Sequence, residues 1–229
     1  MDNNCLNEID NKIEQERRDY KGPHCCMTMH YGLLSDKNVL CYNPKYREYG
    51  VKIPKTDRYA EMQYCICCGK QLPLSLRIQW AEYLKKEYGL TAPMNQDKKN
   101  IPKEFLSDEW WKKRHIKNFN NNKNIDHNNL KKNKGFHCCL RFERELLDNG
   151  SLLLYSSKYR EYGIKIPESP AFIEIDYCLF CGKSFPGSLG DEWLNILEYD
   201  YKLEWPDSKD KDQVPKEFLT DEWWKKRGL

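Results

Sequence analysis

The sequence predicts an α+β chain of two homologous small domains, each a short antiparallel sheet followed by two helices. Three observations carry that prediction: an internal repeat, a fixed order of strand-like and helix-like segments within it, and cysteines at the same spacing in both copies. Shifting the 229-residue sequence by 113 positions aligns residues 24–114 with 137–227 without a gap, and 44 of the 91 paired positions are identical. A period this long marks two domains rather than a solenoid. Composition agrees, because 39% apolar residues and a mean hydropathy of −0.90 suit two modest cores better than one deep one. The expected division is an N-terminal extension at 1–23, a first domain at 24–114, a linker at 115–136 and a second domain at 137–229.

The elements follow in order. In the polar extension, Leu6, Ile9 and Ile13 fall at helical spacing and predict a short amphipathic helix. After His24-Cys25-Cys26, the segments around Val39 to Tyr42, Gly50 to Ile53 and Tyr59 to Tyr64 are rich in Val, Ile and Tyr. Pro, Asp and Ser separate them, so they read as strands of an antiparallel sheet. A helix comes next: Leu76, Trp80, Tyr83, Leu84 and Tyr88 share one face, and Leu189, Trp193, Ile196, Leu197 and Tyr201 repeat the pattern. Ser75 and Ser188 stand where they can cap it, and Trp80 and Trp193 lie on the stripe that should face the core. A shorter helix is expected from Ser107 or Thr220, opened by Asp-Glu and closed by Lys-Lys-Arg, the charge order that suits the helix dipole. It carries the doublets Trp110-Trp111 and Trp223-Trp224. Neighbouring helical positions diverge by about 100°, so one ring of each could face a partner, although packing of both is the expected arrangement. Eight Asn and five Lys in the 22 residues of 115–136 make that segment too polar to fold alone.

The first residues, Met1 to Cys5, offer neither the basic start nor the apolar stretch of an export signal. No apolar run approaches the ~20 residues that cross a bilayer, so a cytoplasmic protein is expected. In a reducing compartment eleven cysteines point to metal or redox chemistry rather than to disulfides, and their spacing must choose between the two. Each copy has Cys-Cys, then 38 residues, then Cys-x-x-Cys-Gly-Lys: Cys25, Cys26, Cys65 and Cys68 in the first, Cys138, Cys139, Cys178 and Cys181 in the second. Four thiolates suit tetrahedral zinc, and Cys-x-x-Cys-Gly lets two sulfurs face one ion over a tight turn. The expectation is two structural Zn2+ per chain. Adjacent residues on a regular strand point to opposite faces, so Cys25 and Cys26 can share an ion only if the backbone bends there. Otherwise His24 and Cys26 bind while Cys25 packs in the core, which makes His24 and His137 alternates to the favoured cysteines. Cys67 pairs with Phe180 and Cys41 with Leu154, as spectators should, and Cys5 has no counterpart. With cores this shallow, zinc at about 10 kcal/mol of apparent folding free energy acts as a staple.

A closed four-thiolate site leaves no position for a reacting water, and the sequence contains no zinc-protease, deaminase, phosphate-loop or nucleophile-elbow signature, so the protein is expected to be noncatalytic. Its net charge of +3 sits in the linker, whose five Lys and one Asp leave about −1 elsewhere; eight thiolates and two Zn2+ take the whole chain to −1. That balance disfavours phosphate binding and favours a protein partner, with a nucleic-acid-associated regulatory zinc protein as the alternative. Tyr46-Arg47-Glu48-Tyr49-Gly50 recurs unchanged at 159–163 and reads either as a surface strand with an Arg–Glu pair or as a binding edge.

Taken together, Cys-Cys, Arg-Glu-Tyr-Gly, Tyr-Cys-x-x-Cys-Gly-Lys-x-x-Pro-x-Ser-Leu, a Trp-bearing helix, Pro-x-Glu-Phe and Asp-Glu-Trp-Trp resemble a family of small bacterial proteins of unknown function. The resemblance covers nearly all of both copies. It implies a zinc-bound domain and brings no catalytic residues. The tandem form departs from the single-domain pattern, as do Cys67 and Phe180, where the pattern has Trp. By analogy with small proteins encoded beside bacterial toxins, it points to an immunity role in which the partner is a cognate toxin.

Overall fold

The computed structural model describes residues 15–35, 39–94, 97–116, 137–148, 150–204, 206 and 209–229. Each repeat builds a three-stranded antiparallel sheet from short β-rich segments, in the order of the sequence. In the first repeat β1 is Leu40–Asn43, β2 is Glu48–Lys52 and β3 is Tyr59–Glu61, with β2 in the centre. Tyr42 pairs with Tyr49 across β1 and β2, and Gly50 pairs with Glu61 across β2 and β3. The second repeat copies this with β4 at Leu153–Ser156, β5 at Glu161–Lys165 and β6 at Phe172–Glu174. Helix α1, Met27–Leu34, precedes the first sheet; α2, Arg77–Tyr88, and α3, Glu109–Lys113, follow it. Their counterparts are α4, Leu140–Leu147, α5, Gly190–Tyr199, and α6, Glu222–Arg227. The chain divides into two compact units, one centred on each repeat.

The α+β class expected from the sequence is therefore present, with one addition. Helices α1 and α4 start directly after the Cys-Cys pairs, where no helix was expected. The expected helix over Leu6, Ile9 and Ile13 lies outside the described residues, as do Cys5 and nearly all of the Asn/Lys-rich segment; residues 15–19 are helical. The caps also differ from expectation by one position. Leu76 and Leu189 occupy the N-cap sites, while Ser75 and Ser188 sit one residue earlier and accept the amides of Arg77 and Gly190 at 3.1 and 3.0 Å.

Both indoles of each Trp doublet serve the β-hairpin turn. Trp110 and Trp111 donate to the carbonyls of Lys45 and Pro44 at 2.7 and 2.9 Å; Trp223 and Trp224 donate to those of Lys158 and Ser157 at the same distances. Trp80 and Trp193 are fully buried on the helix stripe, each donating to a backbone carbonyl of the 3-10 turn before the last helix, Phe105 and Phe218. A buried indole that also satisfies a backbone acceptor fixes orientation as well as filling volume.

Neither expected reading of Tyr46-Arg47-Glu48-Tyr49-Gly50 holds. The motif is buried in the first repeat and runs into the central strand, so it is neither a surface strand nor an edge. Tyr46 meets Trp80 edge to face, with ring centroids 5.2 Å apart. Arg47 takes a left-handed conformation, φ 56°, ending the hairpin loop, and donates to the carbonyl of Leu74 at 3.1 Å. Glu48 pairs with Arg77 rather than with its neighbour Arg47. Gly50 is required by a close approach, since a Cβ there would lie 2.4 Å from the Tyr59 ring; at Gly163 the distance to the Phe172 ring would be 2.3 Å.

Candidate metal centre

The four cysteines of each repeat meet. Within each set, Cys25, Cys26, Cys65 and Cys68 or Cys138, Cys139, Cys178 and Cys181, the sulfurs all lie within 4.8 Å of one another, and each set could hold a metal ion. Two local structures bring them together. The first is the helix start: Cys26 is the N-cap of α1, in extended conformation, and its Sγ accepts the Met29 amide at 3.4 Å. Cys139 does the same for Phe142 at 3.4 Å. The turn from extended chain into helix supplies the bend that two adjacent cysteines need to face one point, and the helix N-terminus favours a thiolate there.

The second structure is the Cys-x-x-Cys-Gly turn. The Cys65 amide donates to the Lys70 carbonyl at 2.9 Å, and the Gly69 amide donates to the Cys65 carbonyl at 3.0 Å. Gly69 and Gly182 are left-handed, φ 67° and 69°, a conformation that only glycine adopts cheaply. The Cys67 amide points back to Cys65 Sγ at 3.4 Å. Amides aimed at sulfur stabilise the thiolate form.

In the first repeat the thiols interact strongly. Hydrogen bonds from Cys25, Cys65 and Cys67 hold Cys26 far below the ordinary thiol value, and the same bonds drive Cys25 and Cys67 upward. Cys65 falls to about 7, chiefly through its bond from Cys25, while burial pushes Cys68 up to about 11. Four sulfurs this close cannot all ionise beside one another, and a divalent cation removes that conflict.

His24 and His137 do not join the clusters. The His24 Nδ1 lies 2.9 Å from the Tyr49 hydroxyl, and His137 Nδ1 lies 3.4 Å from that of Tyr162. Burial holds both imidazoles below their ordinary value, which suits a neutral ring braced on a phenol. Cys67, expected as a spectator, is not among the four, although it touches them through Cys26 and Cys65. Cys41 is apart from the cluster, donating to the Gly50 carbonyl at 3.5 Å.

A family model described as a domain of unknown function (DUF6980) matches the chain twice, at residues 5–113 and 127–226. The chain belongs to this family. The two matches fall one on each repeat, so the family unit is present in tandem. No curated protein and no solved structure matches the chain. Among the described residues no helix is long and apolar enough to cross a membrane.

Proposed function

We propose that each repeat is a zinc-stapled binding module, and that the chain acts without catalysis by holding another protein. The carrying observation is the four-sulfur cluster, present twice. Zinc–sulfur bonds of about 2.3 Å in a tetrahedron set the sulfurs about 3.8 Å apart. Cys26 and Cys65 are separated by 3.8 Å, and Cys139 and Cys178 by 3.8 Å. When bound, the ion supplies cross-linking of the helix start to the knuckle turn; the chain supplies all four ligands and leaves no open position for a substrate.

A protein partner is supported by apolar side chains that stay exposed at equivalent positions of both repeats: Leu34 and Leu147, Tyr88 and Tyr201, Leu106 and Leu219. Apolar groups left exposed at the same positions of both repeats are available to a protein partner. Two such modules in one chain can grip one target at two points, which raises avidity without new contacts. In its sharpest form the target is a bacterial toxin occluded in the cytoplasm. Copurification at rising salt tests the partner class: a protein partner retained through moderate salt supports this reading, and recovery of DNA or RNA alone with a steep salt slope replaces it with the nucleic-acid alternative.

A further inference from the structure

We propose that the second repeat carries a guanidinium site on Glu161, taken by an arginine side chain of a partner protein; the partner's class rests on the reading above, the site itself on the structure. The first repeat shows what this place in the fold accepts. There Arg77, at the first turn of α2, grips the Glu48 carboxylate with two bonds, Nε to Oε1 at 2.9 Å and Nη2 to Oε2 at 2.5 Å. Its Nη2 also donates to the Tyr59 hydroxyl at 3.1 Å, and its Cζ lies 4.1 Å from the Tyr46 ring centroid. Carboxylate fork and aromatic face together form a slot for a planar cation.

The second repeat keeps this slot and deletes its cation. Glu161, Ser188 and Tyr159 stand where Glu48, Ser75 and Tyr46 stand, while Arg77 is replaced by Gly190, which has no side chain. Ser188 still donates to Glu161 Oε1, at 2.7 Å, as Ser75 does to Glu48 at 2.5 Å. Phe172 replaces Tyr59, keeping the ring without the hydroxyl. Glu48 is 2% exposed, whereas Glu161 is half-buried and reachable from solvent.

The surroundings change in the same direction. Asp191 replaces Ile78 and Asp176 replaces Gln63. Burial first, and then the charges of Glu161, Asp176 and Asp191, push the Glu174 carboxyl above its ordinary value. Negative charge has gathered where a positive one was removed. The nearby lysine stands where Lys45 stands and not where Arg77 does, and it also donates to the Tyr159 hydroxyl. Lys158 Nζ lies 4.3 and 3.7 Å from the Tyr159 and Trp193 ring centroids, and Lys45 lies 4.7 and 4.1 Å from those of Tyr46 and Trp80, alongside Arg77. Arginine fits this slot better than lysine because its planar fork meets both carboxylate oxygens while lying against a ring.

The test is amide NMR of the full zinc-loaded chain titrated with the blocked tripeptide Gly-Arg-Gly, beside its lysine and citrulline analogues. Saturable shifts at Glu161, Ser188, Gly190 and Asp191, about tenfold weaker with lysine and absent with citrulline, are expected. Gly190→Arg should abolish them by restoring the first repeat's own cation. Gly190 is not left-handed, and a Cβ there meets only the side-chain ends of Glu161 at 3.1 Å and Ser188 at 3.3 Å, so the variant should fold. Glu161→Gln, which keeps shape and removes charge, is the second arm and should lose the response as well. Arg77→Gly should open a second responding set around Glu48. Absence of saturable shifts, equal response to lysine, or shifts that survive both Gly190→Arg and Glu161→Gln overturns the site. A captured protein partner whose affinity is unchanged by Gly190→Arg overturns the partner arginine while leaving the protein-binding reading intact.

Discussion

At the scale of single residues, the duplication acts as an internal mutagenesis experiment. Phe180 stands where Cys67 stands, and both repeats retain four clustered sulfurs. Cys67 should therefore be dispensable for binding although it touches Cys26 and Cys65. Cys67→Phe is expected to keep two zinc ions per chain by elemental analysis, and Cys65→Ser to keep one. Glu48 offers a second test. Its side chain is 1% exposed and is paired with Arg77, which is 40% exposed. Breaking a buried pair costs about 3–5 kcal/mol, and solvent screening of Arg77 brings the expectation for Arg77→Gly nearer about 2 kcal/mol, read by chemical denaturation.

The same carboxyl has a pH signature. Burial opposes its charge, but the bonds from Arg77, Ser75 and Tyr59 outweigh burial and hold it below its ordinary value. A lowered native value means stabilisation is complete above the unfolded carboxyl range, about pH 4.3, and is lost as pH falls through the native value. The stability gap between wild type and Glu48→Gln should thus be full near neutrality and close on acidification, with denaturant midpoints at matched pH as the measure.

At the scale of elements, the strands and the Trp-bearing helices were legible because their periodicities are strong and each appears twice. Helices α1 and α4 were not. Cysteine is not an ordinary N-cap residue, so the start signal at Cys26 and Cys139 looked like half of a metal site and nothing more. In α1 the segment Met27–Leu34 also lacks a polar face, which hides helical periodicity. The motif at 46–50 was misread for a related reason. Its charged residues pair with partners far along the chain, Glu48 with Arg77 and Arg47 with the Leu74 carbonyl, and no spacing rule within the motif reveals them. Comparing the copies gives a faint signal, since Arg77 and Tyr59 change to Gly190 and Phe172 together. Gly50 should resist substitution: Gly50→Ala places a methyl group against the Tyr59 ring and the Ala60 carbonyl. Overpacking of this kind costs about 1–3 kcal/mol, so a lowered melting temperature of the first repeat is expected.

At the scale of the whole molecule, two modest cores rich in tryptophan are each joined to a four-sulfur cluster that ties a helix start to a turn. The cysteine spacing makes both clusters legible from the sequence alone, because metal ligation demands fixed residue types at fixed separations. The sequence favours cysteine over histidine ligands without deciding between them, since the choice depends on a turn that brings His24 to Tyr49 instead of to the sulfurs. Structural zinc contributes about 10 kcal/mol or more to small domains, so a strong chelator should unfold both repeats, seen as loss of near-ultraviolet tryptophan signal and restored by added zinc.

X-ray absorption spectroscopy at the zinc edge, with elemental analysis of the same sample, addresses the central claim directly. Two zinc ions per chain, each with four sulfur neighbours at about 2.3 Å, is the predicted result. Fewer than two ions, or a nitrogen or water oxygen among the nearest neighbours, contradicts it.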